Sequence, residues 1–168
     1  MEAGSWQREV ADALQAAGVR TVAIVPDGRL DAVQMALADG GCTVRTLTRE
    51  DECIGYAAGR VLAGDLTPVL MQCSGLGNAL NTLGSLVVPY GIGLPLVISM
   101  RGTLGERNPS QVPIGRATGA LLAALGIQAY SIRTRQQIPH TIRGMLDNVS
   151  GGLQTAAVLL EPELGMTS

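Results

Sequence analysis

The sequence predicts an α/β protein with three layers, α/β/α, built around a six-stranded parallel sheet. Short apolar runs rich in β-branched residues alternate with segments of helical periodicity, as in repeated βαβ units. One run, residues 68–72, is apolar almost throughout, which is typical of a strand buried on both faces. Hydrophobic residues make up 46% of the 168 residues and charged residues only 15%, so the chain has enough apolar side chains to form a well-buried core. We therefore expect residues 1–168 to form a single domain.

The strands are predicted by apolar, β-prone runs between turn residues. They lie at residues 21–25, 42–46, 68–72, 94–99, 128–132 and 155–160. Helices are predicted by apolar residues three and four positions apart. They lie around residues 6–14, 30–37, 54–62, 74–88, 114–125 and 136–149. In the second helix the predicted apolar positions include Met35, and in the third they extend to Leu62, with Gly64 closing that helix. Residues 101–109 are polar and predict a loop.

The carboxyl ends of the first four strands collect the polar and glycine residues of this apolar chain. These segments are residues 26–28, 47–51, 73–78 and 100–107. In an open parallel sheet, ligands bind outside the carboxyl ends of the strands. The pattern predicts a site at this edge without naming its ligand.

Composition excludes several kinds of function. A net charge of -2 and 2% aromatic residues argue against a nucleic-acid partner. All 12 basic residues are Arg, so neither a Schiff-base lysine nor a P-loop is present. The only His, His140, has no Cys/His cluster around it, which excludes a zinc site of the usual kind.

The N-terminal residues lack the pattern of a signal peptide, and the apolar stretch 86–100 is interrupted by two prolines. Three cysteines, Cys42, Cys53 and Cys73, show no paired spacing. We therefore expect a cytoplasmic protein with reduced thiols.

Three acids, Glu50, Asp51 and Glu52, stand at the predicted start of the third helix. Thr48 followed by Asp51 fits a capping box, and all three acids would favour the positive end of the helix dipole. Glu50 stands out because of the residues around it. Residues 49–59, Arg-Glu-Asp-Glu-Cys-Ile-Gly-Tyr-Ala-Ala-Gly, resemble the glutamate helix of thiamine-diphosphate enzymes. By its spacing to Gly59, the resemblance makes Glu50 the catalytic acid that hydrogen-bonds N1′ of the cofactor's aminopyrimidine.

A second motif lies at residues 71–81, Met-Gln-Cys-Ser-Gly-Leu-Gly-Asn-Ala-Leu-Asn. Alone it fits a phosphate-binding turn or a plain tight connection, and it lacks the third glycine and the acid of a dinucleotide fingerprint. After the Glu50 segment, it resembles the Ser-Gly-x-Gly-Asn turn of phosphonopyruvate and sulfopyruvate decarboxylases. The resemblance implies that Ser74, Gly75, Leu76 and Asn78 bind the cofactor together with Glu50.

Two further segments are similar to the same decarboxylases. Val-Pro-Asp at residues 25–27 matches the exit of their first strand, and residues 108–118 look most like sulfopyruvate decarboxylase alpha subunits. The resemblance implies substrate contacts from Asp27, Arg101 and Gln111, where Gln111 stands at a position often occupied by His in the phosphonopyruvate enzymes. Asp27 also fits a plain turn residue, and Arg101, like Arg107 and Arg116, also fits a surface position.

Enzymes of this kind hold Mg²⁺ and the diphosphate through a Gly-Asp-Gly segment, which this sequence lacks. The resemblance therefore implies that residues 1–168 form one pyrimidine-binding domain of the thiamine-diphosphate-binding fold. It also implies a separate beta subunit that binds the metal, with the active site between the two chains, and either an α/β hetero-oligomer or self-association of this chain. The reaction implied is decarboxylation of sulfopyruvate to sulfoacetaldehyde and CO₂, in coenzyme M biosynthesis or another sulfonate pathway. Phosphonopyruvate decarboxylase or another 2-oxo acid lyase, and a non-catalytic structural or regulatory domain, are the alternatives.

Overall fold

Six parallel strands form one sheet in the computed structural model, which describes residues 5–152 and 154–165. The strands are β1 (Thr21–Ile24), β2 (Thr43–Thr46), β3 (Val69–Gln72), β4 (Pro95–Ser99), β5 (Gln128–Ile132) and β6 (Ala156–Leu160). Their order across the sheet is β2-β1-β3-β4-β6-β5, and every neighbouring pair is parallel. The predicted strand number and direction are confirmed.

In the described part of the chain, five α-helices connect the strands and a sixth precedes β1, and together they cover both faces of the sheet. They are α1 (Trp6–Ala16), α2 (Asp31–Asp39), α3 (Glu50–Leu62), α4 (Leu76–Thr82), α5 (Gln111–Ala124) and α6 (Ile138–Gly152). Helices α1, α2 and α6 pack on one face, and α3, α4 and α5 pack on the other. This arrangement confirms the predicted three layers.

Each face of the sheet has its own apolar core, because alternate residues of a strand point to opposite faces. In β4, Val97 belongs to the core under α1, α2 and α6, whereas Leu96 and Ile98 belong to the other. Strands β1, β4 and β6 are buried along their whole length, while β2 and β5 at the edges are partly exposed. The apolar runs in the sequence therefore mark the central strands.

Several predicted helix details were wrong. Met35 is exposed because it lies five residues after Leu30, on the side of α2 that faces away from the sheet. Leu62 is 73% exposed, although it lies four residues after the buried Ala58, and it is the last residue of α3. Helix α5 begins at Gln111, three residues before the predicted start, since Pro113 fits the first turn of a helix.

The predicted helix at 74–88 is a composite. A short 3₁₀ turn at Cys73–Gly75 leads into α4, and the chain continues as a π-helical segment at Leu83–Val87. The 3₁₀ turn brings the Ser-Gly residues directly to the carboxyl end of β3.

The strand order produces a crevice where ligands bind in folds of this type. After β1 the chain passes through α2 to β2, on one side of β1. After β3, the neighbour on the other side of β1, it passes through α4 to β4, which lies farther in the opposite direction. Connections that leave in opposite directions open a crevice at the carboxyl ends, here between β1 and β3. Within the described ranges, no helix has the length and apolar character needed to cross a membrane. Cys42, Cys53 and Cys73 are buried free thiols.

Candidate active site

Glu50 is the first residue of α3, the helix that follows the carboxyl end of β2. Its side chain is half-buried. The amide Nδ2 of Asn78, in the first turn of α4, donates to Glu50 Oε2 at 2.9 Å. No described residue donates to Glu50 Oε1, so this carboxyl oxygen has hydrogen-bonding capacity left for a ligand. Two residues singled out separately from the sequence are thus brought into direct contact.

Gly75 makes room for the Glu50 carboxyl group. A Cβ atom at position 75 would lie 2.6 Å from Glu50 Cδ, far inside van der Waals contact. Gly75 has an ordinary right-handed backbone conformation, φ -69° and ψ -22°, so conformational freedom is not the reason for glycine here. The absence of a side chain lets the 3₁₀ turn after β3 pack directly on Glu50.

The other two acids of this helix start have structural contacts. Glu52 accepts hydrogen bonds from the backbone N–H groups of Thr48 and Arg49, both at 3.2 Å, and from the Thr48 hydroxyl at 2.6 Å. The predicted capping box of Thr48 and Asp51 was therefore wrong: α3 starts at Glu50, so the residue placed to reach back is Glu52. Asp51 instead pairs with Arg49, and a hydrogen bond from Arg49 lowers the pKa of Asp51.

The thiols near the site are unreactive. Cys53 lies one helical turn after Glu50, and burial, followed by the charge of Glu50, raises its pKa to about 12. Burial also raises the pKa of Cys73. A raised pKa disfavours the thiolate, which is the nucleophilic form of cysteine, in both residues.

Of the remaining predicted cofactor residues, Ser74 is half-buried beside Gly75, and its hydroxyl donates to Gln72 Oε1 at 2.7 Å. The side chain of Leu76 is fully buried in the core under α3, α4 and α5. Any contact of Leu76 with a ligand therefore comes from its backbone.

Asp27 follows β1 and is held by residues at the ends of two other strands. Gln72 Nε2, at the end of β3, donates to Asp27 Oδ1 at 2.9 Å, and the Ser99 hydroxyl, at the end of β4, donates to Asp27 Oδ2. The carboxylate thus ties three adjacent strands together at the predicted crevice. Arg29 lies near Asp27, and its Nη2 donates to the Glu161 backbone oxygen at 3.1 Å. Burial lowers the pKa of Arg29, and the charge of the Asp27 carboxylate opposes that change.

Arg101 follows β4 and is clamped by Glu106. Arg101 Nε and Nη2 donate to the two Glu106 carboxylate oxygens, each at 2.7 Å, and the backbone N–H groups of Gly102 and Asn108 donate to the same carboxylate. These contacts lower the pKa of Glu106 to about 2, with the hydrogen bonds from Arg101 as the largest cause. Arg101 is therefore engaged within its own loop, whereas Arg107 and Arg116 are exposed.

Gln111 begins α5 directly behind this loop, and its Oε1 is buried without a hydrogen-bond donor among the described residues. The loop and α5 are in close contact, since a Cβ on Gly102 would lie 2.5 Å from the Gln111 backbone oxygen. The candidate site thus combines the Glu50–Asn78 contact, Asp27 after β1, and Arg101 and Gln111 after β4.

Sequence reasoning missed Gln72, Ser99, Arg29 and Glu106. Gln72 and Ser99 are the last residues of apolar strands, and a polar residue ending such a strand was an available signal. Glu106 carried no periodic signal, because its partners lie within an irregular loop. Among the described residues there is no group of three or more His, Cys, Asp or Glu side chains placed to hold a metal ion.

Comparison with known proteins gives relatives and a structural neighbour, although no model of a known protein family matches the chain. The alpha subunit of sulfopyruvate decarboxylase from Methanothermobacter thermautotrophicus is 40% identical over 146 residues, which cover 86% of this chain and 88% of that protein. A sulfopyruvate decarboxylase from Methanosarcina acetivorans is 31% identical over 85% of this chain but only 35% of its own length. A phosphonopyruvate decarboxylase from Streptomyces viridochromogenes is 39% identical over 62% of this chain and 27% of its own length.

A solved structure of 2-oxoglutarate:ferredoxin oxidoreductase from Magnetococcus marinus superposes with a TM-score of 0.69. The match covers 96% of this chain and 29% of that one, at 12% sequence identity. At this identity the likeness concerns the fold alone. It confirms the predicted thiamine-diphosphate-type α/β/α architecture.

Proposed function

Because this chain belongs to the family of sulfopyruvate decarboxylase alpha subunits, we propose that it forms one part of a thiamine-diphosphate-dependent decarboxylase that converts sulfopyruvate to sulfoacetaldehyde and CO₂. The observation that carries the proposal is the half-buried Glu50 carboxyl group, backed by Gly75 and held by Asn78 at the carboxyl edge of a parallel sheet. On this proposal, residues 1–168 form one pyrimidine-binding domain.

The residues present fit the pyrimidine part of the cofactor. Glu50 Oε1 has no donor among the described residues, and the missing side chain at Gly75 keeps the turn close to Glu50. The residues that would hold the cofactor are Glu50, Ser74, Gly75, Asn78 and the backbone of Leu76. When bound, thiamine diphosphate supplies the electron sink for loss of CO₂ from a 2-oxo acid.

Glu50 would hydrogen-bond the ring nitrogen N1′ and exchange a proton with it, as a general acid–base residue. Asn78 donates to one oxygen of the carboxyl group, which leaves the other oxygen available to a ligand. The close packing of Gly75 on the carboxyl group leaves Glu50 one well-defined position. Positioning of this kind contributes strongly to catalysis, because small displacements of a reacting group cost much of the rate.

Arg101 and Gln111 form the substrate side of the proposed site, and Asp27, whose two carboxylate oxygens already accept from Gln72 and Ser99, would support it from the carboxyl ends of the central strands. An arginine guanidinium recognises a sulfonate or carboxylate by charge-assisted hydrogen bonds, and Glu106 fixes the plane of the Arg101 guanidinium. Gln111 Oε1 is buried with no donor in the described chain, so the amide has no contact that prevents it from turning its NH₂ group toward sulfopyruvate, which offers only acceptors. These assignments place the substrate beside the loop that follows β4.

We further propose that a beta subunit completes the site and holds Mg²⁺ and the diphosphate. A diphosphate group needs a cation to neutralise its charge. Support comes from the lengths of two relatives. The match covers 88% of the Methanothermobacter thermautotrophicus alpha subunit but only 35% of the sulfopyruvate decarboxylase from Methanosarcina acetivorans. That longer protein therefore has room for a further domain. The three buried free thiols favour a reducing compartment such as the cytoplasm.

The test is CO₂ release by the chain mixed with its beta subunit, thiamine diphosphate and Mg²⁺. We expect release from sulfopyruvate, with a higher kcat/KM than for phosphonopyruvate, and no release by the chain alone. A higher kcat/KM for phosphonopyruvate would instead identify the enzyme as a phosphonopyruvate decarboxylase. No release from either substrate, with no binding of thiamine diphosphate to the complex, would favour a non-catalytic domain.

A further inference from the structure

Four side chains form a continuous chain of hydrogen bonds across the crevice between β1 and β3. The Ser99 hydroxyl donates to Asp27 Oδ2, Gln72 Nε2 donates to Asp27 Oδ1 at 2.9 Å, and the Ser74 hydroxyl donates to Gln72 Oε1 at 2.7 Å. The chain thus runs from the end of β4 to the turn that carries Gly75. Its last member is the neighbour of the glycine that packs on Glu50.

The direction of each hydrogen bond is set by the chemistry of Asp27. An ionised carboxylate has no hydrogen to donate, so the neighbouring Gln72 amide must turn its NH₂ group toward Asp27. The carbonyl oxygen of Gln72 then faces Ser74. The single hydroxyl proton of Ser74 is therefore used to reach Gln72 Oε1. The lone pairs of the Ser74 oxygen remain available, and no described residue donates to them.

We propose that Asp27 is a positioning residue that acts through Gln72 to make the Ser74 hydroxyl a hydrogen-bond acceptor toward the bound ligand. The proposal rests on the function proposed above, because it needs a ligand beside Glu50. That ligand must offer an N–H or O–H donor. Two sources fit this chemistry: the amino group of the cofactor's pyrimidine, and a donor group of the reacting substrate.

Replacing Asp27 by Asn removes the group that fixes the direction of this hydrogen-bond chain and nearly keeps the shape of the side chain. An asparagine amide presents both a donor and an acceptor, so Gln72 is free to turn over. In the turned arrangement Gln72 Nε2 donates to Ser74, and the Ser74 proton points to the ligand instead. A donor would then face a donor, which costs the hydrogen bond that the ligand makes in the wild type.

A double-mutant cycle in the complex of this chain with its beta subunit, thiamine diphosphate and Mg²⁺ tests the proposal. The variants are Asp27→Asn, Ser74→Ala and the pair, with Asp12→Asn, an exposed partner of Arg8, as a matched control. Each variant is measured for the Kd of thiamine diphosphate and for kcat and KM with sulfopyruvate. Thermal unfolding of each complex checks folding, and Ser74→Thr, which keeps the hydroxyl, should restore wild-type values.

We expect Asp27→Asn and Ser74→Ala each to raise the Kd of thiamine diphosphate, raise KM or lower kcat about tenfold, the size of one hydrogen bond. The double variant should be no worse than Ser74→Ala alone. A changed Kd assigns the donor to the cofactor, and a changed KM or kcat at constant Kd assigns it to the substrate. If the two effects multiply to about a hundredfold, or if Ser74→Ala has no effect, the proposal is overturned.

Two further readouts keep the test decisive. Should Asp27→Asn fail to fold, Gln72→Met breaks the same chain at its middle, and Ser74→Ala should then add nothing to the Gln72→Met effect. A wild-type complex that binds thiamine diphosphate but releases no CO₂ would contradict the proposed function. The Kd values of that complex would still test the role of Asp27, with a multiplied effect overturning it.

Discussion

At the scale of single residues, the site depends on one acid and on the two residues that hold it. Glu50 contacts Asn78 through a hydrogen bond and Gly75 through close packing. These partners come from the segment after β3, whereas Glu50 lies after β2, and β1 lies between those strands in the sheet. The position of the Glu50 carboxyl group therefore depends on how α3 packs against α4.

The requirement for glycine at position 75 gives a direct prediction. Gly75→Ala places a methyl group where the Glu50 carboxyl lies and should displace that group by a fraction of an ångström or more. We expect a fall in kcat of about 100-fold, the effect of a misplaced catalytic group, with the complex still assembled. Steady-state kinetics of the reconstituted complex measures this change.

Gly119→Ala is the control for this substitution, because a Cβ there meets nothing within 4 Å. Ala also favours the interior of helix α5 over glycine. Equal activity in the two variants would show that Glu50 does not depend on the space at Gly75.

The candidate acid was predictable from sequence, and much of its surroundings was not. The spacing of Glu50 to Gly59 selected it over Asp51 and Glu52, and the structure gives those two acids structural contacts. The Glu50–Asn78 contact joins residues 28 positions apart, and the contacts of Asp27 depend on which strands are neighbours. A local pattern contains neither kind of information. Substrate contacts from Asp27, Arg101 and Gln111 stay predictions.

At the scale of elements, the loop between β4 and α5 is ordered by one carboxylate. The Glu106 side chain is only 7% exposed and accepts from Arg101 and from two backbone N–H groups of the same loop. The sequence predicted a polar loop here, which is confirmed, but periodicity cannot describe an irregular segment. Glu106 acts as the internal anchor that the loop needs in place of helical or strand hydrogen bonds.

Glu106→Gln should loosen this loop. The neutral amide cannot accept four hydrogen bonds in place of the carboxylate, so the N–H groups of Gly102 and Asn108 lose acceptors. We expect several-fold faster hydrogen exchange at these two amides and little change in the strands. Glu163→Gln, at an exposed residue far along the chain, is the control. Unchanged exchange at Gly102 and Asn108 would contradict the anchoring role.

The lowered pKa of this anchor gives the loop a defined pH dependence. The Glu106 pKa is about 2 in the folded chain, against an ordinary value of 4.5. A carboxyl group with a lowered pKa contributes its stability above its ordinary value and loses it as the pH falls toward the folded value. The stability difference between wild type and Glu106→Gln should therefore be constant from about pH 5.5 to 8 and shrink from about pH 4.5 toward 2.

At the scale of the whole molecule, the sheet order brings the site together. Segments after β1, β2, β3 and β4 meet at one edge because these four strands are neighbours. The alternation of strands and helices predicted a parallel sheet, whereas the order β2-β1-β3-β4-β6-β5 was not predictable, since it depends on contacts distant in sequence. The two cores pack against the two faces of the sheet, and Glu50 is half-buried at this edge.

Glu50 is the proposed catalytic acid of a site that a second subunit completes. The most direct measurement is CO₂ release from sulfopyruvate by the reconstituted complex, with Glu50→Gln compared with Asp51→Asn, the neighbouring acid that pairs with Arg49. We expect Glu50→Gln to lower kcat by about 10²- to 10⁴-fold, while Asp51→Asn stays near wild type. Full activity of the Glu50→Gln complex would contradict the account.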